Sequence, residues 1–380
     1  MRAAALYEAH LAQKSDSHNT RGAEMSYFAS LYGWAKSSGA DLDNILLAGE
    51  GLTPPQVRSF SAWIRAPRAQ ANGVIPLKKR RSINAAFRSC SVICAWFIAQ
   101  FSNPSRSSKA QRSLDVERLI ESQKRAWKSV LIKVRKDPAA PDMLDEEIAA
   151  IEQFLKPNRR SNSVGERIAY RDYLMWRMAI ELGLRKGEIL AMRTSDCPTR
   201  NAPYFKIVRI EERGSDYADP RPNPPRPKTL SRELGLLFDS TVFPKLVSDY
   251  VSAYRYKMVV INGKQQKKFL LPHKFLIVAQ NGEPLSLRAA DDVAKAIKRG
   301  TGVDFNWHLA RHSFFNRAYA VVADAEDGDA RTAQIADIVH WGGWESANSL
   351  EVYSRRARAE RARNALMIWR EGKNQWNALI

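Results

Sequence analysis

The apolar residues in the first half of the chain follow a single helical rhythm, and this pattern limits the fold more than any other feature. From residue 21 to residue 135 they recur three or four positions apart. The clearest runs are Met25-Phe28-Leu31-Tyr32-Trp34, Val57-Phe60-Trp63-Ile64 and the stretch from Ile83 to Phe101. Pro54 and Pro55 are placed to begin one helix, and Pro104 separates two others. We therefore expect an all-helical domain over 21–135, after a polar tail or a short first helix over 1–20.

The same region is strongly basic. Between Lys78 and Arg135 there are 14 Lys or Arg but only 3 Asp or Glu, and the whole chain has a net charge of +20. A surplus of this size favours a polyanionic partner, nucleic acid before an anionic membrane. The cluster Lys78-Lys79-Arg80-Arg81 stands just before a helix. A run of this kind is often only a solvated surface, but here we expect it to contact a DNA backbone.

The cysteine content and the hydropathy of the chain exclude several other classes of protein. Cys90, Cys94 and Cys197 form no CxxC pair, so we expect neither a zinc site nor a disulfide framework, and no metal or other cofactor. The longest apolar run, near Cys90 to Phe101, is too short to span a bilayer, and the first residues lack the apolar core of a signal peptide. We expect a cytoplasmic, nucleoid-associated protein without a membrane partner.

The segment Lys136-Asp-Pro-Ala-Ala-Pro-Asp142 is a predicted linker, because its two prolines hold it extended and stop the preceding helix. The second domain, predicted over 143–380, is mixed. Helices are expected over about 145–156 and 166–183, and again from about residue 286 onwards. Strand-like segments at Tyr204 to Ile210 and Leu234 to Phe238 flank a proline-rich loop, which predicts a small antiparallel sheet.

Five segments of this second half contain residues that suit phosphate chemistry. In Leu182-Gly-Leu-Arg-Lys-Gly-Glu188, the fork of Arg185 can face a phosphate, and Glu188 can orient it. In His308-Leu-Ala-Arg-His-Ser-Phe314, His308 and Arg311 share one face of a helix, where one can move a proton and the other can hold oxygens. Taken singly, each has a commoner explanation: a structural Arg–Glu pair, or a chance HxxR.

The remaining segments are Lys228, at a turn that leads into a strand, the sequence Trp341-Gly-Gly-Trp344, and Tyr353, nine residues after Trp344. In this order and spacing, the five segments resemble the tyrosine site-specific recombinases of the phage integrase family. The resemblance covers residues 143–356 by motif and the helical first half by size and character. The GGW segment is most similar to the branch that contains Cre, which has tryptophan where most members have histidine.

The resemblance implies a mainly α tyrosine recombinase (integrase) fold. An all-helical core-binding domain would precede a mixed α+β catalytic domain with a small antiparallel sheet. It also implies a site-specific recombinase or integrase that closes as a C-shaped clamp on double-stranded DNA and acts as a homo-tetramer on two DNA sites. An accessory DNA-bending protein is a further candidate partner. The enzyme would cleave and rejoin DNA through a 3′-phosphotyrosine, without metal or ATP.

Each family role maps onto a residue here. The implied catalytic set is Arg185, Lys228, His308, Arg311, Trp344 and Tyr353. The two arginines would clamp the scissile phosphate, with Trp344 beside it, and the tyrosine would attack. His308 would assist proton transfer at the phenol, and Lys228 would protonate the leaving 5′ oxygen. The gap from Arg185 to Lys228 is longer than is usual in the family, so Lys206, inside a predicted strand, is the competing lysine.

Other assignments stay open at this stage. The activity could instead be that of a type IB topoisomerase, or the chain could be a non-catalytic DNA-binding accessory protein. An acidic insert over 324–329 is either a surface loop or a contact to a neighbouring subunit. The tail after Arg355 carries the apolar residues Leu366, Met367, Ile368, Trp369 and Trp376 at near-helical spacing. It would dock either on a neighbouring protomer or on its own domain.

Overall fold

A computed structural model describes the chain except for residues 15–17, 71–72, 103–108, 135–140, 200–201, 215–216, 236–241, 262–263, 270, 324–327 and 378–380. The chain forms two compact units, Met1–Lys136 and Asp137–Ile380. Their boundary falls at the start of the predicted linker, most of which lies outside the described residues. The fold is mainly α with small antiparallel sheets, which confirms the predicted fold class.

The described part of the first unit contains helices and no strand. Its α-helices are α1 (Arg2–Lys14), α2 (His18–Ser38), α3 (Leu42–Leu47), α4 (Pro54–Arg65), α5 (Leu77–Phe101) and α6 (Lys109–Ser129). A capping box begins α4: the Thr53 side chain accepts from the Gln56 backbone N–H, and the Gln56 side chain accepts from that of Thr53. Helix α1 buries Ala3, Tyr7 and Leu11 in the core, so the first residues form a packed helix.

Helix α5 is long and apolar enough over Lys79–Phe101 to cross a membrane, by length and composition. The expectation that no segment reaches this length is wrong, because the helix extends well before the apolar run that starts at Cys90. Its side chains at Ile83, Phe87, Ile93 and Phe97 are fully buried in the first unit, which makes α5 the central core helix of that unit.

The second unit combines helices with two hairpins. Its helices are α7 (Asp145–Leu155), α8 (Pro157–Val164), α9 (Glu166–Glu181), α10 (Lys186–Ala191), α11 (Val242–Asp249, continued by a π-turn over Tyr250–Tyr254), α12 (Leu287–Thr301), α13 (Trp307–Ala323), α14 (Gly328–Gly342) and α15 (Glu351–Asn377). Its strands are β1 (Tyr204–Ile207), β2 (Arg232–Gly235), β3 (Lys257–Ile261) and β4 (Lys264–Phe269). The acidic insert lies between α13 and α14, and residues 324–327 of it lie outside the described residues.

The two predicted strands pair antiparallel, with Tyr204 opposite Gly235 and Ile207 opposite Arg232. Strand β1 ends three residues earlier than predicted, because a short 3₁₀ turn over Ile210–Glu212 follows it. Strand β2 begins two residues earlier than predicted, and residues 236–238 are not described. The β3–β4 hairpin was not predicted, since Lys264–Phe269 (KQQKKF) shows none of the apolar alternation that marks a half-buried strand.

Candidate active site

The turn between α9 and α10 presents Arg185. Gly183 has φ +63° in this turn, and a Cβ there would lie 2.5 Å from the ring of Phe314, so only glycine fits. The backbone N–H of Arg185 donates to Glu188 at 2.8 Å, which fixes the start of α10. The Nη1 atom of Arg185 lies 3.6 Å from the same carboxylate and makes no hydrogen bond within the described structure. Its guanidinium therefore has donor capacity left for a ligand.

Glu188 is the buried anion at the centre of the site, with 2% of its surface exposed. The hydroxyl of Thr229 donates to its carboxylate, the guanidinium of Arg232 donates at 3.2 and 3.3 Å, and Arg311 lies 3.8 Å away. Burial alone would raise the pKa of the Glu188 carboxyl, but Arg232 and Arg311 hold that pKa below its usual value. The carboxylate therefore stays charged and holds the surrounding cations together.

Arg311 extends from α13 into this centre and is 1% exposed. It donates to the carbonyl oxygen of Gly183 at 2.5 Å and to that of Gly342 at 2.9 Å, and it stacks over the rings of Phe315 and Trp344. Burial lowers the pKa of Arg311 to about 9, although Glu188 opposes the shift. The guanidinium thus ties the Arg185 turn to the end of α14 while concentrating positive charge at the site.

His308 and His312 lie one turn apart on α13, with ring centroids 4.2 Å apart. His308 is exposed by residue surface, yet partial desolvation of its imidazole, together with the charges of Arg311 and Arg185, lowers its pKa. His312 is partly buried, its Nδ1 atom has no hydrogen-bond partner in the described structure, and its pKa falls to about 4, mainly through burial. Both imidazoles are therefore neutral at pH 7, and a neutral His308 can accept a proton.

Tyr353, in the first turn of α15, is 4% exposed. Its ring lies 5.7 Å from that of Phe315, 5.9 Å from Trp344 and 5.6 Å from His312. Burial raises the pKa of the Tyr353 phenol, while the charges of Arg311 and Arg185 act in the opposite direction. The structure therefore brings Tyr353 into the electrostatic field of both arginines.

The Trp341-Gly-Gly-Trp344 segment brings its backbone close to the aromatic and cationic side chains of the site. A Cβ on Gly342 would lie 2.4 Å from the Trp344 indole. A Cβ on Gly343, which has φ +61°, would lie 2.6 Å from the Arg232 guanidinium. The carbonyl of Gly342 accepts from Arg311, so the two glycines place Trp344 and the backbone against the central cations.

The two candidate lysines lie in different surroundings. Lys228 is exposed and directly precedes Thr229, whose hydroxyl bonds to Glu188. The next residue, Leu230, donates its backbone N–H to Gly343 at 3.0 Å, so this turn borders the site. Lys206 lies within β1 and pairs with Glu233 on β2 at 3.5 Å. Five of the six expected catalytic residues thus share contacts or electrostatic coupling, and Lys228 stands on the adjoining turn.

Arg232 and Thr229 belong to the site but were not singled out from the sequence. Arg232 bonds to Glu188, to Thr229 at 3.0 Å and to the Trp341 carbonyl at 2.6 Å. A signal was available, because period-two alternation in β2 puts Arg232 on the same face as the apolar Leu234. An arginine on a buried face needs a carboxylate partner, and Glu188 is that partner.

In the first unit, the basic cluster forms the first turn of α5, whereas the sequence placed it just before a helix. Lys79 and Arg81 are exposed, and Arg80 donates to the Ile75 carbonyl at 2.7 Å. The side chain of Lys78 lies outside the described residues. In the second unit, α15 exposes Leu366, Met367, Ile368 and Trp369, each of which is more than half accessible to solvent. The Trp376 side chain is not described.

No protein-family model matches the chain, and no curated protein sequence is significantly similar to it. Among solved structures, the Tn1549 transposon integrase in complex with circular intermediate DNA matches 95% of this chain and 99% of its own, with a TM-score of 0.53 and 14% identity. XerH recombinase bound to a palindromic difH substrate matches 87% and 73%, with a TM-score of 0.48 and 13% identity. XerA recombinase matches 96% and 98%, with a TM-score of 0.38 and 11% identity. At these identities the likeness concerns the fold, and that fold is the tyrosine recombinase fold of the integrase.

Proposed function

We propose that this protein is a site-specific DNA recombinase that cleaves and rejoins duplex DNA through a 3′-phosphotyrosine at Tyr353. The observation that carries the proposal is the convergence of Arg185, Arg311, His308 and Tyr353. Two guanidiniums, a neutral imidazole and a phenol lie in one electrostatic environment, built on the buried carboxylate of Glu188. This set matches what phosphoryl transfer to a tyrosine needs: charge stabilisation, a proton acceptor and a nucleophile.

The proposed step is an in-line displacement at phosphorus. The Oη atom of Tyr353 forms a bond to the phosphorus and passes its proton to His308, while the bond from phosphorus to the 5′ oxygen breaks. Lys228 supplies a proton to that oxygen, and the two arginines stabilise the charge that develops on the remaining oxygens. Reversal of the step by a different 5′ hydroxyl rejoins the strand. The ester retains the energy of the broken bond, so no ATP is consumed.

The burial of Tyr353 bears on when this step occurs. With 4% of its surface exposed and aromatic rings around it, the phenol is sheltered in the chain as it stands. We propose that attack on DNA involves a shift of the start of α15. We propose that DNA binding or a neighbouring subunit provides this shift, which would keep an unassembled protein from cutting DNA.

The proposed partners follow from the surfaces of the two units. The basic first unit, with the exposed Lys79 and Arg81, would bind the phosphate backbone of duplex DNA. The exposed apolar residues of α15 would dock on a neighbouring protomer, as in a homo-tetramer on two DNA sites. Burial of such side chains is worth roughly 1.5–3 kcal/mol each.

The test is covalent capture on nicked duplexes that trap the cleaved strand, prepared from the DNA that flanks the gene. The reaction is run in EDTA, because the proposed charge set needs no metal. We expect a denaturant-resistant protein–DNA adduct with the wild-type chain and none with Tyr353→Phe. The variant should bind DNA nearly as well, since it loses one hydroxyl. Tyr319→Phe, a change at another buried tyrosine of the same unit, is the matched control and should retain the adduct.

Two outcomes would contradict the proposal. An adduct that persists in Tyr353→Phe would move the nucleophile elsewhere, and cleavage that appears only with Mg²⁺ would exclude this chemistry. Recombination between two sites separates the proposed activity from that of a topoisomerase, which would relax supercoiled plasmid without pairing two sites.

A further inference from the structure

The chain between β1 and β2 holds a segment whose contacts the proposed reaction does not explain. Residues 220–227 read Pro-Arg-Pro-Asn-Pro-Pro-Arg-Pro and lead directly to Lys228. Five of these eight residues are prolines, and each fixes its own φ near −65° and restricts the residue before it. A segment of this composition transmits position along its length far better than an ordinary loop does.

The segment is anchored at its first end by Arg221. The Arg221 guanidinium forms a two-pronged pair with Asp219, at 2.8 and 2.6 Å, and both side chains are almost fully buried. Its Nη1 atom donates to the carbonyl oxygens of Leu190 at 3.1 Å and Leu285 at 2.8 Å, and it stacks over the ring of Phe275. The arginine therefore fastens the loop to the end of α10 and to the residues just before α12.

The far end is fastened to the same helix. The hydroxyl of Thr229 donates to Glu188, which lies in α10, and the Arg226 carbonyl lies 3.3 Å from where a Cβ on Gly187 would be. Pro225 and Pro227 are buried. The proline segment is thus held against both ends of α10, the helix that Arg185 begins, and Lys228 leaves it one residue before the Thr229 anchor.

We infer that Arg221 is a positioning residue, and that the Asp219–Arg221 pair and the proline segment together form a strut that sets Lys228 for its role as proton donor. The inference rests on the proposed function, in which Lys228 protonates the leaving 5′ oxygen. This positioning role explains how the long loop between β1 and β2 can still hold Lys228 in place for catalysis. The extra residues are fixed to α10 at both ends rather than left free.

The experiment compares two nicked substrates that differ in one atom. In one, the bridging 5′ atom at the scissile phosphate is oxygen; in the other it is sulfur. A 5′ thiolate is far less basic than a 5′ alkoxide and leaves without a proton, so a defect in proton donation disappears on the sulfur substrate. A general fault in folding or in phosphate binding slows both substrates alike.

We expect Arg221→Met to slow adduct formation on the oxygen substrate by about 10- to 100-fold, as for a donor misplaced by about 1 Å. The rate on the sulfur substrate should stay near the wild-type rate. Lys228→Ala should show the same selectivity with a larger loss, about 10²- to 10⁴-fold. His308→Ala acts on the nucleophile's side, so it should be slow on both substrates.

A second variant keeps the inference testable if Arg221→Met fails to fold. Pro222→Gly combined with Pro224→Gly softens the strut at an exposed and a partly buried position and leaves the Asp219–Arg221 pair intact. It should show the same rescue by sulfur. The matched control is Arg255→Met. Arg255 also donates to backbone carbonyls, of Phe275 and His273, but lies off the strut, so its loss should give no selectivity between the substrates.

The outcomes distinguish the positioning role of the strut from the proposed function. Wild-type cleavage combined with an equal slowing of both substrates by the strut variants would overturn the positioning role and leave the proposed function standing. The same holds if the strut variants cleave both substrates at the wild-type rate. A wild-type chain that forms no adduct with either substrate would overturn the proposed function and this inference with it.

Discussion

At the scale of single residues, the site depends on one buried carboxylate. Glu188 faces Arg232, whose side chain is also almost fully buried, and it accepts the Thr229 hydroxyl. Removing one partner of a buried ion pair leaves the other charge without compensation, at a cost of about 3–5 kcal/mol. An exposed pair such as Lys206–Glu233 contributes far less, about 0–1 kcal/mol.

We therefore expect Glu188→Gln to lower the free energy of unfolding by about 3–5 kcal/mol, measured by urea titration at pH 7. The matched control, Glu233→Gln, makes the same chemical change at an exposed pair and should shift it by less than about 1 kcal/mol. Equal shifts in the two variants would show that the central carboxylate does not hold the cations together.

The second residue-scale prediction concerns pH. The pKa of His312 in the folded chain, about 4, lies below its ordinary value of 6.5. Between these values the unfolded chain binds more protons than the folded chain, so stability from the neutral imidazole is present above pH 6.5 and is lost as the pH falls towards 4. We expect His312→Asn to weaken the drop in the urea midpoint between pH 7 and pH 5. An unchanged pH profile in this variant would contradict the burial of a neutral His312.

The residues of the candidate site divide by the kind of signal that reveals them. Arg185, His308, Arg311, Trp344 and Tyr353 could be picked out from the sequence, because their order and spacing resemble a known set. From the sequence, Glu188 was identified only as a neighbour of Arg185, and its partner Arg232 was not identified. The pairing of Glu188 with Arg232 joins α10 to β2 across the fold, and no local pattern in the sequence records such a contact.

At the scale of elements, α15 has apolar side chains that the described part of its domain leaves mostly exposed. Leu366, Ile368 and Trp369 are 65%, 70% and 60% exposed. This exposure disfavours packing of Leu366 and Ile368 on the described part of their own domain. The sequence could not decide this, because helical spacing shows which residues are apolar but not what they meet.

We predict that deleting residues 364–380 leaves binding to a single DNA site intact and impairs the pairing of two sites and strand exchange. Gel-shift titration measures the first, and a two-site recombination assay measures the second. Val321→Ser, at an apolar residue of α13 that is 75% exposed, is the control and should recombine normally. Full recombination by the truncated chain would remove α15 as an intersubunit element.

The strands were harder to predict from the sequence than the helices. The long apolar periodicities predicted the helices, because a helix is specified by residues close in sequence. The predicted bounds of β1 and β2 lie within three residues of the observed bounds wherever the structure describes them. The β3–β4 hairpin has strand residues without alternation, so its existence depends on pairing between the strands rather than on either segment alone.

At the scale of the whole molecule, the charge balance is the feature most open to measurement. The net charge is +20, and the basic surplus is concentrated between Lys78 and Arg135 in the first unit. Lys79 and Arg81 of α5 are exposed, so their charges are accessible to a DNA backbone, unlike the buried cations of the candidate site. If they bind phosphates, each contact releases condensed counterions, and affinity then depends on salt.

We expect DNA affinity to fall by roughly 10³- to 10⁵-fold between 50 and 200 mM salt, the range for about six to ten phosphate contacts. Replacing both Lys79 and Arg81 with alanine should reduce the slope of log affinity against log salt by about two, since each contact contributes about 0.9. Fluorescence anisotropy with a labelled duplex across a salt series measures the slope. Lys295→Ala, at an exposed lysine of α12 that pairs with Asp292, is the control and should leave it unchanged. A flat salt response of the wild-type chain would mean that the basic surplus does not bind DNA, and an unchanged slope in the double variant would place the contacts elsewhere on the protein.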